Sequence, residues 1–282
     1  MNSSCNIAIC LSGEPRLNEI AGNSIKNIIK YCFANFGKEV HIDVFYHFWD
    51  TITKKHNSII DEDINPVDIH EIQRNTPTTS GLFEHKDKLD PVIEECFFYF
   101  NKLLSDNYRI QPAYLKKWDN YFRDINKFKN IVKYTNIPTL SQVISMCKCQ
   151  LVRINYEKQN DISYDIIIRS RSDVQIELDS FKNVLLYSKR PKLKKIIQFP
   201  SGNIKNNQYH FQCCVFQSSS QVLNEYLFDE YVKKICKQMF IVNVNKNKLT
   251  VKTDHEVIPH FFAEQKCKFS IPLDILKYRL IH

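Results

Sequence analysis

Glycine is scarce in this chain, with 5 residues in 282. Dinucleotide sites and P-loops use glycines to bring backbone amides against phosphates, and neither GxGxxG nor GxxxxGK(S/T) occurs. This argues against a Gly-rich phosphate loop. The 10 cysteines contain no CxxC pair, which excludes zinc-ribbon spacing. Cys5, Cys10 and Cys32 lie in apolar segments and Cys213-Cys214 are adjacent in a strand-like run. That placement reads as buried free thiols in a reducing compartment rather than a disulfide framework. No apolar run reaches the ~18 residues of a transmembrane helix. Met1-Asn2-Ser3-Ser4 carries no basic side chain ahead of its short apolar run, so no secretory signal is expected and a cytoplasmic location is. Charge of one sign is not concentrated either. The net charge is +8, but the basic residues are scattered, and the densest cluster, residues 189–195, reads as a solvated loop.

What is present is the composition of a soluble globular protein, 43% hydrophobic and 25% charged, with 14 Tyr and 19 Phe. The length suits one large α/β domain or two small ones. The central stretch is Tyr164-Asp165-Ile166-Ile167-Ile168-Arg169-Ser170-Arg171-Ser172-Asp173-Val174. Three consecutive isoleucines read as a buried strand, and the alternation of side chains puts Arg169, Arg171 and Asp173 on one side. Ligands of open α/β sheets bind outside the carboxyl ends of the strands, where this polar cluster sits. Two planar guanidiniums suit a phosphate group and a carboxylate suits a hard divalent cation.

Earlier in the chain, Ile7-Ala8-Ile9-Cys10-Leu11 reads as a first strand closed by Ser12-Gly13-Glu14-Pro15-Arg16. Gly13 permits close approach by a ligand, and Arg16 can turn back over the sheet edge. A helix follows over residues 19–36, then a strand over residues 40–50 that ends in Trp49-Asp50. These two residues suit either a base and ribose or a core position and a turn. Strand, helix, strand is the start of a parallel sheet. Residues 51–90 are polar and broken by Pro and Gly. Residues 91–104 and 113–134 read as aromatic-rich helices, which makes residues 91–136 a helical insertion within a single domain over residues 1–282. The clearest helix starts near Leu140 and runs to about Lys158 on a stripe of Leu140, Val143, Ile144, Cys147, Leu151 and Ile154. Further strands are expected at 196–200 and 209–216, a helix at 221–239, and a capped helix after Thr253-Asp254-His255-Glu256.

Three segments in this order, strand–SGxPR at residues 7–16, strand–HxWD at residues 43–50 and YD-apolar-Arg-x-Arg-x-Asp at residues 164–173, resemble GT-A-type glycosyltransferases. The similar families are those of large DNA viruses, phages and bacterial surface-polysaccharide loci. The resemblance covers roughly the first 175 residues. It implies a GT-A-like, Rossmann-like fold with a central mixed, mostly parallel sheet flanked by helices. It also implies sugar transfer from a nucleoside diphosphate sugar to a hydroxyl of a glycan or protein acceptor, hexosyl or deoxyhexosyl, assisted by Mn²⁺ or Mg²⁺. If the source is viral, the site of action is the host cytoplasm. Ser12, Gly13, Arg16, Asp50, Arg169 and Arg171 are then the nucleotide-binding candidates. Arg171-Ser172-Asp173 stands where the family has DxD, with arginine in place of the first acid, so Asp173 alone carries over as a metal ligand. His255 is the candidate to complete the metal site, and Asp254 or Glu256 to act as catalytic base. No nucleic acid is expected as a partner. The rival readings are a basic nucleic-acid-binding module without catalysis and a degenerate GT-A scaffold protein.

Overall fold

The computed structural model describes residues 5–15, 19–36, 39–53, 64–66, 79–106, 124–134, 138–172, 174–179, 181–182, 215–224, 240–243, 248–251 and 278–280. The chain forms β1 (Cys5–Gly13), α1 (Glu19–Phe36) and β2 (Val40–Trp49), then the short strands β3 (Thr51–Thr53), β4 (Ile64–Pro66) and β5 (Ser80–Glu84). A 3-10 turn (Lys86–Leu89) leads into α2 (Asp90–Asp106), α3 (Ile125–Tyr134) and α4 (Pro138–Asn160). β6 (Ile166–Arg171), β7 (Val174–Ile176), β8 (Val215–Ser218) and α5 (Ser220–Leu223) follow, with β9 (Phe240–Asn243), β10 (Lys248–Val251) and β11 (Tyr278–Leu280) near the end.

The main sheet has 5 strands in the order β5-β2-β1-β6-β8. β1 is parallel to β2 and β6, β2 is parallel to β5, and β8 runs antiparallel to β6. The fold is α/β and Rossmann-like. Its central strands are apolar on both faces because both faces are covered. On one face Ile7, Ile9, Leu11, Val44, Tyr46, Phe48, Ile166 and Ile168 pack with Ile25, Ile28 and Cys32 of α1. α4 packs on the other face, against β1, β2 and β5. It starts at Pro138, where a missing N–H costs no helical bond. It ends at Asp161, whose φ of 51° turns the chain toward β6, and Ile162 N–H closes the helix end on the Glu157 carbonyl at 3.2 Å. α2 and α3 pack through Phe97 and Phe128, with ring centroids 5.4 Å apart.

The residues that carry the resemblance bond to one another. Tyr164 Oη donates to Asp43 Oδ2 at 2.7 Å, and burial and this carboxylate push its phenol pKa up. Asn6 N–H donates to Asp165 Oδ2 at 3.1 Å, and Asp165 N–H returns to the Asn6 carbonyl at 2.9 Å. These bonds pin the amino-terminal ends of β1, β2 and β6 together. Five described cysteines, Cys5, Cys10, Cys32, Cys147 and Cys149, are free, as expected, and burial pushes the Cys32 thiol up to about 12. Cys96 departs from that expectation: it is disulfide-bonded, its partner lying outside the described residues.

Of the helix expected over residues 221–239, α5 supplies the start and ends at Leu223 with Asn224 in a turn, and residues 225–239 lie outside the described residues. The Asn224 side chain is taken by a buried network: Arg153 Nη2 donates to its Oδ1 at 2.8 Å, and its Nδ2 donates to Glu157 Oε2 at 2.7 Å. Arg153 Nη1 and Glu157 Oε1 pair at 2.7 Å within the same network.

Candidate functional site

The strand order reverses beside β1. The first crossover, through α1, places β2 on one side of β1, with β5 beyond it. The return through α2, α3 and α4 places β6 on the other side. Such a reversal opens a crevice at the carboxyl ends of the two diverging strands. Here those ends are Leu11-Ser12-Gly13 and Arg169-Ser170-Arg171, with Ser12 in register with Arg171.

Ser12, Gly13, Arg169 and Arg171 thus meet at one place. Arg169 is wholly buried, and its Nε donates to Ser12 Oγ at 3.1 Å. Arg171 lies two residues further along the same face, half-buried at the rim. Gly13 has φ +118°, a conformation L side chains rarely adopt, and a Cβ there would meet no atom within 4 Å. Beyond it, Ser172 Oγ donates to the Glu14 carbonyl at 2.6 Å, tying the loop after β1 to the end of β6. Lys86, only 1% exposed, reaches Glu14 Oε1 at 2.6 Å from the turn after β5. Arg16, Asp173, Asp254, His255 and Glu256 lie outside the described residues.

A second constellation sits alongside, where α4 crosses the ends of β1, β2 and β5. Gly13 N–H donates to Ser145 Oγ at 2.7 Å. Ser145 Oγ lies 2.8 Å from both His47 Nδ1 and the His47 carbonyl, and His47 Nε2 lies 3.0 Å from Glu84 Oε2. Lys148 pairs with the same Glu84 oxygen and stands 5.7 Å from the centre of the Trp49 ring. The hydrogen bond from His47, with Lys148 beside it, holds the Glu84 pKa down at about 2. Burial outweighs that carboxylate at His47 and lowers its pKa, so the ring is neutral near pH 7. Ser145 Oγ donates its one hydroxyl hydrogen to the His47 carbonyl.

Serine, histidine and glutamate in a row suggest nucleophilic catalysis, but the geometry argues against it. The His47 side chain and Ser145 are 0% exposed, and the serine hydrogen bonds are spent inside the protein. The row acts as a brace between α4 and the end of β1. It engages the Gly13 amide, so the glycine offers a ligand open space rather than a free N–H.

Trp49 is a core residue, fully buried, with Nε1 donating to the Ser141 carbonyl at 3.3 Å. Asp50 follows it at the end of β2. Its N–H bonds to the Glu84 carbonyl at 3.0 Å, its Oδ1 is enclosed without a hydrogen-bond partner, and its side chain is 27% exposed. Among the described residues no three His, Cys, Asp or Glu side chains gather in a way that would hold a metal ion. Glu14 and Glu84 are each neutralised by a lysine. The described side chains by themselves do not build a divalent-cation site.

Sequence reasoning assigned no role to Glu14, His47, Glu84, His85, Lys86, Ser145 or Lys148. His47 stood inside a quoted motif, and its neighbours were ordinary polar residues on three other elements. Compared with models of known protein families the chain matches none, and no curated protein matches it either. No helix among the described residues is long and apolar enough to cross a membrane.

Proposed function

We propose that the chain is a GT-A-type glycosyltransferase that moves a sugar from a nucleoside diphosphate sugar to a hydroxyl of a glycan or protein acceptor. The observation that carries this reading is the pair of guanidiniums, Arg171 at the rim and Arg169 beneath it, at the point where the strand order reverses. In the transfer, the bond from the anomeric carbon to the diphosphate oxygen breaks. A bond to the acceptor oxygen forms, and the acceptor proton passes to a base. Negative charge grows on the leaving diphosphate, and fixed cations placed there before reaction lower the barrier. Arg171, with Arg16 from the loop after β1, is the side chain proposed to touch that group. Arg169 contributes its field from below and orients Ser12.

Asp254 or Glu256 is proposed as the base in an inverting reaction. A divalent cation, Mn²⁺ or Mg²⁺, belongs to the same proposal through Asp173 and His255, and when bound it adds charge neutralisation at the diphosphate. The proposed setting is the cytoplasm.

A nucleoside diphosphate at millimolar concentration should raise the unfolding temperature, because a ligand that binds the native state alone stabilises it by mass action. UDP, GDP, CDP and ADP, each with and without Mn²⁺, are the compounds to test by thermal unfolding. No shift with any of them would remove the nucleotide from the reading and leave a scaffold or a nucleic-acid-binding module.

A further inference from the structure

We propose that Asp50 and His85 form a hydroxyl-reading pair that selects a ribose over a deoxyribose; this rests on the nucleotide reading above and deepens it. The two residues end adjacent strands: Asp50 follows β2 and His85 follows β5. His85 Nε2 stands 3.8 Å from Asp50 Oδ2. That is too long for a direct hydrogen bond and short enough for one hydroxyl oxygen to bridge.

The protonation pattern of His85 makes the pair directional. Its Nδ1 accepts from Asp87 N–H at 3.2 Å and lies 3.0 Å from Asp87 Oδ2. In the neutral ring, with Nδ1 accepting the Asp87 N–H, the ring hydrogen on Nε2 faces Asp50. A donor and a carboxylate acceptor set one oxygen apart match a hydroxyl group, which accepts from one and donates to the other.

Asp50 also has acceptor capacity to spare. A carboxylate offers about four lone-pair sites. Glu14 and Glu84 at this edge are each held by a lysine, whereas the cationic or donor group beside Asp50 Oδ2 among the described residues is His85. Its place fits a ribose. With the diphosphate at the crevice between β1 and β6, the sugar and base extend over the neighbouring strand, and in dinucleotide folds an acid in that region binds the ribose 2′-hydroxyl. A hydroxyl of the transferred sugar has the same chemistry, and deoxynucleotides distinguish the two sources.

Titration calorimetry of the full chain with UDP, GDP, CDP and ADP identifies the diphosphate that binds; its 2′-deoxy and 3′-deoxy forms are then compared. The wild type should prefer the ribonucleotide by about tenfold over one of them, the loss of a hydrogen bond to a charged group. In Asp50→Ala and in His85→Ala that preference should fall below about twofold. Equal binding of ribo and both deoxy forms by the wild type would overturn the inference and leave the nucleotide site standing. Discrimination that persists in both variants would place the reader elsewhere and overturn it as well. If no diphosphate binds, the nucleotide reading fails and takes this inference with it.

Discussion

Glu84 shows how one side chain can be read in two ways until its partners are known. It ends an edge strand, where a carboxylate is ordinarily solvated, yet His47 and Lys148 converge on one of its oxygens. Its folded pKa of about 2 lies below the usual 4.5. The stabilisation is therefore complete above pH 4.5 and is lost as pH falls toward 2. His47 adds a loss at higher pH. Unfolded, it takes a proton near pH 6.5, whereas the buried ring resists protonation, so stability begins to fall below that value. Urea unfolding of the wild type and Glu84→Gln tests this. The difference in unfolding free energy should be largest near pH 7 and smaller at pH 3 by up to about 2 kcal/mol. A constant gap would mean that His47 and Lys148 do not hold the charge of Glu84.

At the scale of elements, β5 makes the sharpest case, because its glycine is exposed yet cannot be changed freely. A Cβ on Gly81 would fall 2.2 Å from the Tyr46 ring, and that ring stacks on Phe48 at 5.1 Å and meets Phe83 at 4.9 Å. Gly81→Ala should destabilise the protein by about 1–3 kcal/mol, the usual cost of overpacking, although a surface alanine ordinarily costs little. Chemical denaturation with an unchanged m-value checks it, and a neutral result would mean that the ring swings aside at no cost. Sequence reading missed this strand because Ser80 and Gly81 look like a breaker. It found β1, β2, β6, α1 and α4, whose apolar runs and stripes are set by burial alone. It left Trp49 open between core and ligand, since an aromatic at a strand end looks the same in both roles. The brace of Gly13, Ser145, His47 and Glu84 was not legible at all. Its members are up to 132 residues apart and nothing local marks them as partners. For the candidate site, position at a strand end was legible, but how deeply a charge would be buried was not. Arg169 and Arg171 read alike, and one is buried while the other sits at the rim.

For the whole molecule, the question is whether a net charge of +8 acts at one place or over the entire surface. The topology favours one place, since two guanidiniums of a single strand meet the β1 end at the strand-order reversal. Arg171→Ala should weaken binding of whichever nucleoside diphosphate shifts the unfolding temperature by about 1.5–3 kcal/mol, as a hydrogen bond to a charged group is lost. Its rim position and partial exposure mean that the fold should survive, which a circular dichroism spectrum and an unchanged unfolding midpoint without ligand would verify. Arg190→Ala, in the basic run of residues 189–195, is the matched control and should change affinity by less than a twofold factor. The salt dependence separates the readings further. A diphosphate held by one or two arginines loses affinity gently as ionic strength rises, whereas polyanion binding through many cations releases counterions and falls steeply. Equal losses in the two variants, together with a steep salt slope for a single-stranded oligonucleotide, would mean that diffuse charge does the binding. That outcome would replace the proposed sugar transfer with a nucleic-acid partner.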